Sequence, residues 1–328
     1  MESARTGRPH SLAFAIVSIA ILLTWAGPGF AQPTGALDQA KALFAAKKFP
    51  EAIALLDTWI AAHARDAVAL VLRGDSKADL VDNEGALKDY DAALAIDPDY
   101  QYAYVTRCET RLQVDNIVGA LADCTAAIRL LPTDGHAYED RGDVQFQRDR
   151  FDLALADYDK AIELGRSSAY VYAARCDSER LTEKLEHAAV DCATALHLDP
   201  ASRRGLWARG RLALTNQRYA DAIPDLSAYI AQNPKSSDTG YYFRGLAYNH
   251  VKKYALALAD LQVYVLRAGF DPDGYRERAV AQYGLGNTKD AASDLDLALA
   301  GYEKSRDSAD AARIQAMIQA LKTGQPLR

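Results

Sequence analysis

The sequence lacks most of the motifs by which active sites are recognised. Its histidines are scattered, with no His-x-x-x-His or Glu-x-x-His cluster of the kind that binds metals. No glycine-rich phosphate loop, no nucleophile elbow and no Cys-x-x-Cys redox motif occurs. Asp271-Pro272-Asp273-Gly274 resembles the start of a calcium loop, but the acidic residue required at its end is missing. These absences predict a protein that is not an enzyme, with no catalytic residue, no cofactor and no metal site.

Long windows of alternating apolar and polar residues, the pattern of a half-buried strand, are missing too. The chain is instead rich in Ala and Leu and has few runs of β-branched residues. This composition predicts an all-helical protein.

The charge of the chain also restricts its partners. Lys and Arg number 38 against 44 Asp and Glu, which gives a net charge of −6. No patch of Lys and Arg is present. Because nucleic acids bind to clustered cations, a mildly acidic chain without such a patch predicts no nucleic-acid partner.

The amino-terminal segment indicates export. Two arginines precede an uncharged apolar run over residues 11–26, and Gly27-Pro28-Gly29 follows as a helix breaker. Small residues at 29 and 31 predict a signal peptide, residues 1–31, cleaved before Gln32. The alternative is an uncleaved anchor that would make the only membrane contact, although the run is short for a span. No cysteine lies near the cleavage site, which argues against a lipoprotein. We expect a periplasmic or secreted protein of a Gram-negative bacterium.

One sequence unit recurs at a fixed period of about 34 residues from residue 67 onwards. Its signature is an Arg followed by a small residue, with one extra residue inserted near 236–238. The signature occurs at Arg73-Gly74, Arg107-Cys108, Arg141-Gly142, Arg175-Cys176, Arg209-Gly210, Arg244-Gly245 and Arg278-Ala279. Each unit also carries an Ala or Gly-Ala and, shortly after it, an Asp, as at Ala86 and Asp89. A fixed period of this size predicts a stacked array of repeats.

The pattern resembles the tetratricopeptide repeat, a helix-turn-helix with Gly or Ala midway along its first helix (helix A), Ala early in its second (helix B) and Pro at the exit. The resemblance covers nearly all of the chain after residue 31. It implies an all-α fold, a right-handed α-α superhelix (solenoid) of about eight repeats with a C-terminal capping helix. The expected array spans 32–305, with repeats near 33–66, 67–100, 101–134, 135–168, 169–202, 203–236, 238–271 and 272–305, and the capping helix and tail span 306–328.

The four cysteines occupy matching places in two repeats. Cys108 and Cys176 replace the glycine of helix A. Cys124 and Cys192 replace the Tyr or Leu of helix B, and the interval from the first cysteine to the second is the same in both repeats. Those two places lie level with each other across a helical hairpin. In an exported protein this predicts Cys108–Cys124 and Cys176–Cys192 disulfides. The alternative is four buried free thiols.

A recurring Arg and Asp are separated by that same interval, which places them opposite each other across each hairpin. The expected pairs are Arg73–Asp89, Arg107–Asp123, Arg141–Asp157, Arg175–Asp191, Arg209–Asp225, Arg244–Asp260 and Arg278–Asp294. We interpret them as structural ion pairs that join helix A to helix B. The alternative, a charged binding stripe, is less favoured because pairing neutralises the groups that a ligand would need.

In the family that the chain resembles, the inner face of helix A lines a concave groove for peptides or proteins. Two sets of residues occupy those places here, with Arg180, Arg204 and Arg211 nearby. One set is acidic: Asp75, Glu109, Asp143 and Asp177. The other is aromatic: Tyr102, Phe146, Tyr170, Trp207 and Tyr242. The family's clamp for a terminal carboxylate uses Lys, Arg and Asn, whereas these places are largely acidic. The alternative is a solvated acidic face with the aromatics packed between repeats.

The resemblance implies a non-catalytic scaffold that binds a protein or peptide carrying basic and apolar residues. A periplasmic chaperone or envelope-assembly component is an alternative. An enzyme using acidic groove residues as general acids or bases is a third; paired carboxylates of raised pKa in a closed pocket would support it.

Overall fold

The computed structural model describes residues 35–236 and 238–327. The predicted signal peptide lies outside these residues. The described residues form seventeen α-helices and no strand, as the composition predicted. The helices are α1 (Ala36–Ala45), α2 (Phe49–Ala62), α3 (Ala67–Asp79), α4 (Asn83–Ile96), α5 (Gln101–Gln113), α6 (Ile117–Leu130), α7 (Gly135–Gln147), α8 (Phe151–Glu163), α9 (Ala169–Leu181), α10 (Leu185–Leu198), α11 (Arg203–Thr215), α12 (Tyr219–Gln232), α13 (Asp238–His250), α14 (Tyr254–Arg267), α15 (Pro272–Gly284), α16 (Thr288–Ser305) and α17 (Ser308–Lys322).

Successive helices pair as antiparallel hairpins, one in each expected repeat. The chain divides into two compact units, one ending at Ser167 and the other beginning at Ser168. The first unit contains the hairpins α1–α2, α3–α4, α5–α6 and α7–α8, and each hairpin packs on the next. The second contains α9–α10, α11–α12, α13–α14 and α15–α16, with α17 packed on α16. A short 3₁₀ turn at Pro234–Ser236 precedes α13, beside the extra residue.

The turn between helix A and helix B has the same backbone conformation in all eight repeats. Positions are counted from the first residue of each repeat, so that Ala67 is position 1 of repeat 2. Position 15 is left-handed throughout, with φ between 56° and 83°. These residues are Lys47, Val81, Asp115, Asp149, Glu183, Gln217, Lys252 and Gly286. The backbone N–H of position 16 then donates to the carbonyl of position 11, as Asp82 does to Lys77 at 2.9 Å. This hydrogen bond closes helix A as in a Schellman motif.

Val81 is the least suitable of these turn residues, because a β-branched side chain is strained in the left-handed region. We expect V81G to raise the free energy of unfolding by about 1 kcal/mol. The matched control is V190G, since Val190 is equally exposed but lies inside helix α10. There glycine should lower stability by about 0.5 kcal/mol. Urea titrations of both variants measure the two effects, and equal losses would contradict a strained turn.

Positions 8 and 24 face each other within each hairpin. A Cβ built on Gly74 would lie 2.5 Å from the Tyr90 ring, and one on Gly142 would lie 2.6 Å from the Tyr158 ring. A large residue at position 24 therefore requires glycine, or at most alanine, at position 8.

In repeats 3 and 5 both of these positions, 8 and 24, are cysteine. Cys108 and Cys124 are disulfide-bonded with Cα atoms 5.6 Å apart, and Cys176 and Cys192 with Cα atoms 5.5 Å apart. The predicted pairing is therefore the one in the structure.

Candidate functional site

The seven expected Arg–Asp pairs are all present, and each is bidentate. The arginine donates through Nε and Nη2 to the two carboxylate oxygens at 2.5–2.9 Å. Every aspartate in the set is buried. The pairs join helix A to helix B, and this leaves the carboxylates inaccessible to a ligand.

Two of these arginines, Arg73 and Arg107, make a further contact that the sequence analysis missed. Arg73 Nη1 donates to Asp57 at 2.7 Å, and Arg107 Nη1 to Asp91 at 2.6 Å. Each of these acceptors is on helix B of the preceding repeat, so the arginine also links neighbouring hairpins. In five of the seven repeats a tyrosine on the preceding turn of helix A also lies against the guanidinium, as Tyr104 does against Arg107 at 5.4 Å. The recurring Tyr-x-x-Arg spacing in the sequence could have predicted this ring contact, because residues three apart lie on one face of a helix.

Asp75, the first of the acidic groove residues, is half-buried between two tyrosines. Tyr90 donates to its Oδ1 at 2.8 Å, and Tyr102 of the next repeat donates to Oδ2 at 3.1 Å. Burial raises the pKa of Asp75 to about 7, although both hydrogen bonds oppose the rise. Tyr102 remains 37% exposed, and the carboxylates of Asp75 and Glu109 help to raise the pKa of its hydroxyl.

Glu109 lies against a histidine of the next repeat. His136 Nε2 is 3.0 Å from Glu109 Oε1 and 4.0 Å from Asp140 Oδ2. Burial opposes a charge on His136, but the carboxylates of Asp140 and Glu109 outweigh it and raise its pKa to about 10. His136 and Asp140 were not among the predicted site residues. Their His-x-x-x-Asp spacing on one helix face was the signal that could have found them.

The two remaining acidic residues are buried and paired inside their own repeats. Asp143 accepts from Tyr158 at 2.7 Å. Asp177 accepts from Arg180 at 2.9 Å and 2.7 Å. The acidic set is therefore not a uniform exposed stripe, since each position 9 side chain lies against position 24, against the following repeat or, at Asp177, against Arg180 of its own helix.

The aromatic set divides in a similar way. Trp207 belongs to the core of the second unit, only 4% exposed, with the Tyr229 and Phe243 rings at 4.9 Å and 5.6 Å. The expectation that it lines a groove is wrong, because its indole fills the space between α11, α12 and α13. Phe146 packs edge-on against Phe151 across the hairpin turn, and Tyr242 packs against Tyr264.

Two of the three predicted arginines of the second unit, Arg204 and Arg211, pack on aromatic rings, whereas Arg180 pairs with Asp177. Arg204 donates to the Tyr170 hydroxyl and lies 4.4 Å from its ring centre. Arg211 lies 3.8 Å from the Phe243 ring centre and 5.3 Å from that of Trp207. Burial lowers the pKa of Arg211 to about 10, and the positive charge of the neighbouring Arg180 contributes to the shift.

Comparison with known protein families finds one family whose model matches several segments of the chain. The tetratricopeptide repeat model matches residues 37–100, 112–169, 187–237 and 208–275. The chain belongs to the tetratricopeptide repeat family. A comparison with curated proteins finds no match.

Solved structures share this tetratricopeptide fold. One is the APC/C hetero-tetramer Cut9-Hcn1, with a TM-score of 0.67, 16% identity, and coverage of 87% of this chain and 55% of that one. This chain thus spans about half the length of that neighbour. A tetratricopeptide protein of Parabacteroides merdae has a TM-score of 0.54, 16% identity and coverage of 78% and 98%. Pseudomonas aeruginosa PilF has a TM-score of 0.56, 17% identity and coverage of 66% and 96%. At these identities the likeness shows the fold alone.

The tetratricopeptide fold supports a protein-interaction scaffold in general. Within residues 35–236 and 238–327, the helices are too short or too polar to cross a membrane.

Asp75 should make the stability of this tetratricopeptide array depend on pH. Its folded-state pKa of about 7 lies above the ordinary value of 3.8. Its contribution to stability is therefore fully present below the unfolded value and is lost as the pH rises through about 7. Relative to D75N, we expect the wild type to lose about 4 kcal/mol of unfolding free energy between about pH 4 and about pH 8. Urea titrations across that range measure the loss.

Y102F provides a directional control for this prediction. The Tyr102 hydroxyl donates to Asp75 and holds the pKa of that carboxyl down. Its removal should move the loss of stability to higher pH. A constant difference in stability between the wild type and D75N across the range would contradict the raised pKa of Asp75.

Proposed function

We propose that the chain is an exported, non-catalytic scaffold that binds a protein segment on the helix A surface of repeats 2 and 3. One observation carries this proposal. Position 2 presents an exposed apolar side chain in both repeats, Val68 at 44% and Tyr102 at 37%. The carboxylates of Asp75 and Glu109 flank Tyr102, as the pKa of its hydroxyl reflects. Exposed apolar surface beside acidic groups suits a segment with an apolar anchor and a Lys or Arg.

The predicted signal peptide and the two disulfides support an exported location for this chain and its partner. Removing residues 1–31, which hold two Arg and one Glu, changes the net charge from −6 to −7. Two disulfides also require an oxidising environment to persist. We place the protein in the periplasm or outside the cell, with a partner that is itself exported.

Photo-crosslinking tests the proposed surface without removing charge from it. A photoreactive phenylalanine analogue is introduced at Val68, at Tyr102 and, as a control, at Val118, which is 82% exposed on helix α6. Irradiation of the native periplasm should give discrete adducts from positions 68 and 102 and none from 118. Adducts from 118 alone, or equal labelling at all three positions, would place the partner elsewhere.

The same adducts separate the scaffold from a chaperone or envelope-assembly component. A dedicated scaffold should crosslink to one partner or a few, whereas a general chaperone should crosslink to a broad set of unfolded proteins. An enzyme remains the third candidate, since the pKa of Asp75 lies near neutral pH. We favour the scaffold because both Asp75 oxygens already accept hydrogen bonds from tyrosines, which leaves the carboxyl poorly placed to exchange a proton with a substrate.

A further inference from the structure

Glu109, His136 and Asp140 form a compact group of potential metal ligands in the first unit. Each offers one ligand atom, and the three atoms lie within 4.8 Å of one another. His136 Nε2 is 3.0 Å from the Glu109 oxygen and 4.0 Å from the Asp140 oxygen. A tetrahedral cation bound at about 2.1 Å needs ligand atoms roughly 3.4 Å apart. Small side-chain adjustments therefore bring all three atoms to binding distance.

The group stands on two packed helices and is partly exposed to solvent. His136 and Asp140 are one turn apart on α7, and Glu109 lies on α5 of the preceding repeat. The Asp140 side chain is fully buried, whereas His136 and Glu109 are 22% and 15% exposed. A cation can enter from the exposed side and retain water as a fourth ligand, the arrangement of open three-ligand sites.

We propose that Glu109, His136 and Asp140 bind a divalent transition-metal cation of the Zn²⁺ class through one imidazole nitrogen and two carboxylate oxygens. Neutral imidazole together with carboxylates suits Zn²⁺ and its first-row neighbours, so His136 releases the proton that it shares with Glu109 when the ion binds. Ca²⁺ requires roughly six to eight oxygen ligands, whereas this group offers one oxygen from each of its two carboxylates, and Mg²⁺ seldom binds imidazole. The bound ion joins α5 to α7 and so ties repeat 3 to repeat 4.

Direct binding measurements test the site independently of any partner protein. The chain is purified after export without a histidine tag, stripped with a chelator, and titrated with Zn²⁺ by calorimetry. Co²⁺ serves as a spectroscopic probe, since its visible d–d bands report the ligand geometry. We expect one equivalent of Zn²⁺, visible bands with Co²⁺, and no competition from Ca²⁺ or Mg²⁺.

Variants assign the ligands. H136Q and E109Q should each weaken Zn²⁺ binding by at least about tenfold. H197Q removes an exposed histidine outside the group and should leave binding unchanged. Circular dichroism establishes that each variant is folded, and the partly exposed Glu109 provides a second reading if H136Q unfolds. The site would be overturned if the wild type does not bind Zn²⁺, or if H136Q and E109Q bind Zn²⁺ as tightly as the wild type does.

Discussion

Replacing Asp123 with alanine should lower the free energy of unfolding by about 3–5 kcal/mol, the cost of leaving a buried charge without its partner. Asp123 is only 2% exposed. It accepts from Arg107 at 2.8 Å and 2.6 Å and from Arg111 at 2.7 Å. Both guanidiniums would keep their charge and lose the carboxylate that compensates it. Urea titrations of D123A measure the loss.

The chain contains a matched control on the same arginine. Asp91 accepts from Arg107 at 2.6 Å, but its side chain is 58% exposed. Solvent screens such a pair, so D91A should cost at most about 1 kcal/mol. Equal losses for D91A and D123A would mean that burial does not set the strength of these contacts, and a negligible loss for D123A would contradict the structural role of the ladder.

Removing the Cys176–Cys192 disulfide should cost about 3 kcal/mol, since it closes a hairpin loop of about 16 residues in the unfolded chain. The variant C176A/C192A also leaves positions 8 and 24 underfilled. The array itself supplies an alternative filling for these places, because repeats 2 and 4 use Gly with Tyr. In both, the tyrosine donates to an aspartate at position 9, and Asp177 occupies that position in repeat 5.

The transplanted pair C176G/C192Y is therefore the informative comparison. It should recover about half of the stability lost by C176A/C192A, because the ring fills the slot and its hydroxyl can reach Asp177. Thermal melts under oxidising conditions rank the three proteins. If C176A/C192A is as stable as the wild type, the disulfide contributes nothing; if C176G/C192Y is the least stable, the slots are not equivalent.

The features that could be predicted from the sequence are those confined to one repeat. A fixed interval between position 8 and position 24 places two side chains opposite each other across a hairpin, whatever the neighbouring repeats do. Arg107 with Asp123 and Cys108 with Cys124 both follow from that local geometry. The family and the all-helical fold follow from the repeat period, which recurs in almost unbroken phase.

The features that could not be predicted depend on contacts between repeats or on packing volume. Glu109 meets His136 only because position 9 of one repeat lies beside position 2 of the next. Asp75 meets Tyr102 for the same reason. Trp207 occupies a position assigned to the groove, yet the bulky Tyr229 and Phe243 around it bury the indole. Recurrence identifies equivalent places but not which of them the neighbouring side chains cover.

Disulfide mapping of the protein, purified without a reducing agent, tests most directly that each repeat is one hairpin with positions 8 and 24 in contact. Peptide mass spectrometry without reduction should find 108 linked to 124 and 176 linked to 192, with no alkylatable thiol. Links between 108 and 176 or between 124 and 192 would contradict the hairpin register. Four free thiols would contradict the disulfides and the oxidising location that they require.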